Sequence, residues 1–202
     1  MATEKLPKPL VLSVTTSSTH DFSKPAVDSI TLVEGLGIQG DAHFGETVQH
    51  RSRLHIKPPP ANLRQVHLIP IEILDKISLS ISADEKIQLF EPGAIGQNIT
   101  TEGIDLLALG AGTELRFFNP DNTNQNDKSE AIIVITGLRN PCPQIDKFQP
   151  GLKERFLVRD AERQIVGRLA GVMATVKRGG VITAGMGIAV TRPAEHLPLG
   201  PV

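Results

Sequence analysis

The chain has 202 residues, 40% of them hydrophobic and 21% charged, and its formal net charge is -1 at pH 7. This size predicts one domain with a sizeable apolar core, whereas the near-zero net charge argues against a general nucleic-acid binder, which normally needs a strong basic excess. Glycines and charges interrupt every apolar run before it is long enough to span a membrane, so we expect no membrane segment and a cytoplasmic location.

Short β-branched segments separated by glycines and prolines predict a mainly β fold. We predict strands at 10–15, 29–33, 66–69, 114–118, 131–136, 171–176 and 187–191. Apolar residues recur at helical spacing after Pro70, which suits the first helical position, and more weakly over 151–156. We expect these helices to flank or plug a barrel. The domain is predicted to cover 1–192, and the Pro-rich residues 193–202 are predicted to form a tail.

A glycine-rich turn and a cationic segment form the first candidate site. The turn, 37–43, ends with Asp41 and His43, and an Asp can orient or charge a nearby His. No acidic residue occurs between Glu46 and Glu72, a segment that carries His50, Arg51, Arg53, His55, Lys57, Arg64 and His67. Arginine matches phosphate oxygens well, so the segment predicts an anion site. A solvated loop is the alternative, and the histidine spacing fits no structural zinc pattern.

The loop 92–105 combines glycines with small hydrogen-bonding side chains. Gly96 permits close approach of the backbone to a ligand, and Asn98, Thr100 and Thr101 can satisfy the polar edges of a pterin or purine. A pair of β-turns explains the same residues equally well. Further along, the polar segment 119–130 lies between two predicted strands and is interpreted as a long hairpin loop.

Cys142, the only cysteine, is predicted to lie on a loop just past the strand at 131–136. It excludes an internal disulfide and fits a reducing compartment. Pro141 and Pro143 stiffen its backbone, and Arg139 can favour the thiolate, which is the form that binds metals and attacks electrophiles. A reactive or ligating thiol and a small buried apolar residue both remain open.

Taken together, these segments resemble the MOSC domain, the family named after the C-terminal part of molybdenum-cofactor sulfurase. The matching residues are Gly40-Asp41-Ala42-His43, Arg64-Gln65-Val66-His67, the loop from Pro92-Gly93 to Gly103-Ile104-Asp105, Leu109-Gly110 and Arg139-Asn140-Pro141-Cys142. Their order and spacing agree over about residues 30–190. Gln97 and Met186 depart from the Glu and Asp usual in the family, which bears on the substrate.

The resemblance implies a MOSC-type β-barrel with a few peripheral helices, a bound molybdenum-pterin cofactor, and a cysteine that ligates molybdenum or carries sulfur. It suggests an oxidoreductase that reduces N-hydroxylated small molecules with the help of a separate electron-donor protein. We predict Cys142, Arg139 and His67 as the catalytic residues, with Cys142 as the metal ligand. The predicted cofactor-binding residues are Arg64, Gly96, Asn98, Thr100, Thr101, His43 and Asp41.

Two other functions remain open on the same residues. The first is a non-redox carrier of the molybdenum cofactor or of persulfide sulfur on Cys142. The second is a cofactor-free enzyme in which Cys142 is the nucleophile and a histidine such as His67 is the base. Molybdenum content, cyanide-labile sulfur and activity without molybdenum distinguish the three functions.

Overall fold

Strands dominate the structure, a computed structural model that describes residues 8–49, 55–81, 91–122 and 130–202. The strands are β1 (Leu10–Thr15), β2 (Ala26–Val27), β3 (Ser29–Val33), β4 (Gly37–Ile38), β5 (Val66–Pro70), β6 (Ile99–Glu102), β7 (Glu114–Phe118), β8 (Ile132–Leu138), β9 (Leu157–Arg159), β10 (Ile165–Arg168), β11 (Val172–Arg178), β12 (Gly180–Thr183) and β13 (Gly187–Thr191). The helices are α1 (Ile71–Leu79), α2 (Gln144–Phe148) and α3 (Leu152–Arg155), with a 3-10 turn at Leu106–Ala108.

Within the described residues, seven strands close into a barrel. Their order is β13-β7-β8-β11-β5-β6-β1, and β1 pairs back with β13 at Leu10 and Gly187. The β5–β6 pair is parallel, with Leu68 opposite Ile99, while the other barrel pairs are antiparallel. Smaller sheets β12-β3-β4 and β10-β9 complete the fold. The predicted mainly β barrel is confirmed.

Alternation of side chains builds the barrel interior. In β8, Ile133 and Ile135 are buried in the main apolar cluster while their neighbours are only partly buried. Leu115 and Phe117 of β7 point into the same cluster. Successive strand residues face opposite sides of the sheet. Each of the seven strands predicted from the β-branched segments is present, with ends that differ by at most a few residues.

The helices lie outside the barrel, against a second apolar cluster. Strand β5 is buried on both faces, since Leu68 belongs to the interior cluster while Ile69 packs in the second cluster. Leu74 and Ile77 of α1 cover that outer face. Pro70, predicted at the first helical position, occupies the N-cap immediately before α1. No helix in the described ranges is long and apolar enough to cross a membrane.

The structure adds detail to three segments that were predicted as two loops and a C-terminal tail. The predicted loop 92–105 contains strand β6, because its β-branched residues pair with β1 and β5. Segment 119–130 joins the antiparallel neighbours β7 and β8, although residues 123–129 lie outside the described residues. Residues 193–202 lie against the barrel: Leu197 C=O accepts from Ala111 N at 2.8 Å, and Gly200 C=O accepts from Leu138 N at 2.8 Å.

Candidate functional site

A pocket opens on the outer face of the barrel, beside the end of β8 and the start of β6. His67 of β5 and Met173 of β11 pair across the sheet and both line the pocket, because their sequence neighbours point into the barrel interior. The lining residues are His20, Asp21, Phe22, Lys24, His43, Arg64, His67, Gly96, Asn98, Arg139, Cys142, Gln144 and Met173. Cys142 therefore shares one pocket with Arg64 and His67.

The cysteine loop leaves the barrel directly beside this pocket. Arg139 follows the last residue of β8, and its backbone N–H donates to the Gly171 carbonyl at 2.9 Å. The Cys142 carbonyl accepts from Ile145 N at 3.1 Å, so the loop is joined to α2. Cys142 is a free, half-buried thiol whose Sγ lies 3.9 Å from Gln144 Oε1. The thiol is thus both anchored and accessible from the pocket.

Arg139 brings a buried cation to the same place. The residue is 9% exposed, and its Nη1 has no hydrogen-bond acceptor among the described residues. Burial lowers the pKa of Arg139 to about 10; nearby Arg64 acts in the same direction, and Cys142 opposes it. The guanidinium is therefore charged at neutral pH. A buried donor without an acceptor is unfavourable, so the guanidinium of Arg139 has donor capacity that an anionic or acceptor-rich group could satisfy.

Burial favours the neutral form of the His67 side chain. Its ring Nε2 lies 2.7 Å from the Ala170 carbonyl, which requires Nε2 to carry the proton. Its backbone N–H donates to Asn98 Oδ1 at 3.1 Å. Burial lowers the pKa of His67 well below its usual range, and the positive charge of Arg139 adds to this effect. His67 thus connects β5 to Ala170 through its ring and to Asn98 through its backbone N–H.

Asp41, which does not line the pocket, forms an ion pair with the lining residue Lys24, with 2.6 Å between Lys24 Nζ and Asp41 Oδ2. Burial alone would raise the pKa of the Asp41 carboxyl, but hydrogen bonds from His43 and the Lys24 ammonium outweigh it and hold that pKa below its usual range. Burial lowers the pKa of Lys24, and Asp41 opposes this. Despite their spacing, Asp41 and His43 do meet: Oδ1 and ring Nδ1 are 3.2 Å apart.

Most of the predicted site residues meet in this pocket. Those that line it are Cys142, Arg139, His67, Arg64, Gly96, Asn98 and His43. Asp41 lies just behind them. Thr100 and Thr101 do not line the pocket but are buried in strand β6, where Thr100 Oγ1 accepts from Gln97 Nε2 at 3.4 Å. Gln97 is fully buried as well, so its departure from the family pattern does not change the pocket lining.

Several lining residues were not predicted from the sequence. They are His20, Asp21, Phe22, Lys24, Gln144 and Met173. A lysine between Ser23 and Pro25 looks like a surface residue, and only its pairing with Asp41 explains its burial. Of the cationic segment, 50–54 lies outside the described residues, while His55 and Lys57 are exposed. No group of three or more His, Cys, Asp or Glu side chains that could hold a metal ion occurs in the described ranges.

Comparison with known proteins identifies the family. The profile of the MOSC domain matches residues 39–189. None of the curated protein sequences compared with this chain matches it. Among solved structures, the chain is similar to the YuaD protein from Bacillus subtilis, with a TM-score of 0.69 and 24% identity over 93% of this chain and 97% of that chain.

Two further solved structures share the fold. YiiM from Escherichia coli has a TM-score of 0.60 and 17% identity over 95% of this chain and 74% of that chain. YiiM from Geobacillus stearothermophilus has a TM-score of 0.61 and 14% identity, with 95% and 79% covered. At such identities these likenesses establish the fold, and the profile match covers well over half of the sequence. The chain belongs to the MOSC domain family.

Proposed function

We propose that this protein binds a molybdenum-pterin cofactor in the pocket, with Cys142 as the molybdenum ligand, and reduces N-hydroxylated small molecules. One observation carries the proposal. The only thiol of the chain shares a pocket with the buried guanidinium of Arg139, whose Nη1 has no acceptor among the described residues. MOSC domains are associated with binding of the molybdenum cofactor, and this pocket presents both a thiol and positive charge.

The donor set of the pocket fits such a cofactor. A cysteine thiolate is a strong metal ligand, and the Pro141-Cys142-Pro143 backbone would hold it on a stiff ribbon. Arg139 and Arg64 would bind phosphate oxygens, while Asn98 would contact a polar edge of the pterin. When bound, the cofactor supplies oxygen-transfer chemistry that no side chain can provide.

The electrons for such a reduction would come from a separate protein. Conversion of an N-hydroxyl group to the amine and water consumes electrons and protons that the substrate does not carry. The sequence contains no recognisable flavin- or haem-binding motif, so we assign electron delivery to a donor protein and cofactor chemistry to the pocket. The chain itself would bind, orient and partly shield the substrate.

The decisive experiment is to express the wild type, Cys142→Ala and Cys142→Ser in a host that makes the molybdenum cofactor. Molybdenum and pterin per chain are then measured in the purified proteins. We expect near-stoichiometric loading of the wild type and loss of molybdenum in both variants, because serine keeps the size of the side chain but removes the sulfur donor. Val181→Ala, an exposed substitution on β12, is the matched control and should load normally. Wild-type protein that remains free of molybdenum would refute the proposal.

A second candidate is a non-redox carrier of the cofactor or of persulfide sulfur. It is favoured by the partial exposure of Cys142, whose thiol is accessible to a sulfur-donating partner. Cyanide-labile sulfur on wild-type protein, absent from Cys142→Ala and unaccompanied by reductase activity, would identify this function. The cofactor-free enzyme has less support, because Nε2 of His67 donates to a carbonyl and burial lowers the pKa of this histidine.

A further inference from the structure

A groove leads outward from the pocket, between the segment before β2 and helix α2. It has a volume of about 320 Å³ and is lined by Phe22, Ser23, Gln144, Lys147 and Phe148. Phe22 and Gln144 line the pocket as well, so the groove and the pocket are continuous. Ser23 and Phe148 in turn line a further hollow of about 450 Å³. We call the surface formed by these five residues the aromatic groove.

The pocket itself is small for a ligand site. Its volume is about 100 Å³, whereas small-molecule sites in proteins commonly measure about 300–1,000 Å³. A small molecule that contacts Cys142 must therefore extend beyond the pocket. The aromatic groove is one such continuation, because it shares two lining residues with the pocket.

Two phenylalanine rings form the apolar wall of the groove. The ring centroids of Phe22 and Phe148 are 5.4 Å apart, and the ring planes are inclined at 41°, a distance usual for aromatic pairs. Phe148, the last residue of α2, is nevertheless 42% exposed, although Ile145 of the same helix is fully buried. Apolar ring surface that borders a cavity is removed from water when a ligand covers it, which stabilises the complex.

The backbone on the Phe22 side of the groove is held in place by the neighbouring loop. Ser23 Oγ donates to the Ala94 carbonyl at 2.8 Å. The two segments also pack closely, because a Cβ at Gly96 would come within 2.7 Å of the Phe22 carbonyl oxygen. A wall that is already ordered loses little conformational entropy when a ligand binds, and its rings match a flat aromatic group, which stacks on them.

We propose that the aromatic groove binds a flat aromatic ring of the substrate while the N-hydroxyl group of the same molecule lies beside Cys142. The inference rests on the proposed function for the identity of the reacting group, but ring binding itself does not require the cofactor. Among the described residues that line the groove, Lys147 alone is charged, whereas Arg64 and Arg139 lie in the pocket. The groove therefore suits an uncharged apolar ring.

The chain contains neither Trp nor Tyr, so Phe148→Trp places a single fluorophore in the groove and keeps an aromatic face there. The probes are 2-naphthohydroxamic acid, which carries flat rings, and acetohydroxamic acid, which has the same N-hydroxyl group without a ring. Each is titrated into the full-length variant, purified without cofactor. We expect the naphthyl probe to change the tryptophan emission at a concentration at least about tenfold lower than the acetyl probe, because only its rings stack in the groove.

Titration calorimetry on proteins without tryptophan tests the two rings separately. We expect Phe148→Ala and Phe22→Ala each to bind the naphthyl probe about tenfold more weakly than the wild type, since a stacking surface is lost. Val166→Ala, an exposed apolar substitution on β10 outside the groove, is the matched control and should bind normally. Circular dichroism shows whether Phe22→Ala is folded, and the exposed position of Phe148 keeps the test valid if it is not.

Equal responses to the two probes, or unchanged affinity of Phe148→Ala for the naphthyl probe, would overturn the ring site. A pterin is also a flat ring, so the titration is repeated with molybdenum-loaded protein. Binding that persists after loading supports a substrate ring in the groove, whereas exclusion of the probe by the bound cofactor would overturn that assignment. Probe binding by a protein that never loads molybdenum would refute the proposed function and leave the ring site standing.

Discussion

His67 is kept neutral by its surroundings. Nε2 must donate to the Ala170 carbonyl, which lies 2.7 Å away, and burial lowers the pKa of the ring well below that of a free histidine, with Arg139 adding repulsion. Protonation is therefore disfavoured in the folded protein but not in the unfolded chain. Below a pH of about 6.5, His67 binds a proton in the unfolded state but not in the folded state. The free energy of unfolding therefore falls as the pH falls.

The residue-scale prediction uses His67→Gln, whose amide can replace the ring as a donor to Ala170 without titrating. We expect the free energy of unfolding of the wild type to fall on acidification by about 1 kcal/mol per pH unit more than that of the variant below pH 6.5. Urea unfolding at a series of pH values from neutral to mildly acidic measures the difference. Parallel pH profiles for the two proteins would show that His67 is protonated as easily folded as unfolded.

Three residues show what the local sequence reveals about a site and what it does not. Cys142 stands out because it follows a predicted strand and is flanked by prolines, and it does line the pocket. Lys24 carries no such signal, because burial of a lysine depends on a carboxylate far from it in the fold. For Thr100, the polar side chain suggests a ligand contact, whereas strand pairing places it in β6, outside the pocket lining.

At the level of elements, the glycine that immediately precedes β11 supports the cysteine loop. Gly171 has a φ of 87° and its carbonyl accepts the backbone N–H of Arg139 at 2.9 Å. A Cβ at this position would overlap the carbonyl oxygen of Leu68 on the neighbouring strand β5. The close approach of β5, β11 and the end of β8 therefore requires glycine here for both conformation and space.

The matched substitutions Gly171→Ala and Gly185→Ala separate these two requirements. Gly185 has a nearly identical φ of 85°, but a Cβ there meets nothing within 4 Å. We expect Gly185→Ala to lower the free energy of unfolding by about 1 kcal/mol, from backbone strain alone. Gly171→Ala should lower it by at least about 3 kcal/mol, because the backbone must also move. Denaturant unfolding measures both. Equal losses of unfolding free energy in the two variants would mean that β5 and β11 can move apart without a measurable energetic cost.

Length and β-branched composition explain which elements are predictable. Strands β7 and β8 cover five and seven positions, and β8 is a run of mainly β-branched residues that the sequence displays directly. The two-residue strands β2 and β4 are too short to show any period. Strand β6 lies in a loop-like sequence, and its extended form depends on pairing with β1 and β5. Such pairing is a property of the whole barrel.

On the scale of the whole molecule, the C-terminal segment supports the strand end that presents the site. Leu138 donates its backbone N–H to Gly200 and accepts from Val202 N at 3.2 Å. The segment passes over Gly137, where a Cβ would come within 2.5 Å of the Gly200 carbonyl oxygen. A Pro-rich sequence predicts a tail because prolines remove donors, yet carbonyls and flanking N–H groups still pair with β8. Arg139, the first residue of the cysteine loop, follows directly.

This arrangement predicts that loss of residues 198–202 loosens the end of β8 while leaving the barrel folded. We expect the Leu138 amide to exchange with solvent about tenfold faster or more in the shortened chain, because its acceptor is gone. The Ile135 amide, which donates to Thr113 at 2.9 Å, is the internal control and should keep its protection. Gly137→Ala should have a similar effect by displacing the segment without removing it. Unchanged exchange at Leu138 in both variants would mean that β11 alone holds this strand end, and that the C-terminal residues do not contribute to the position of Arg139.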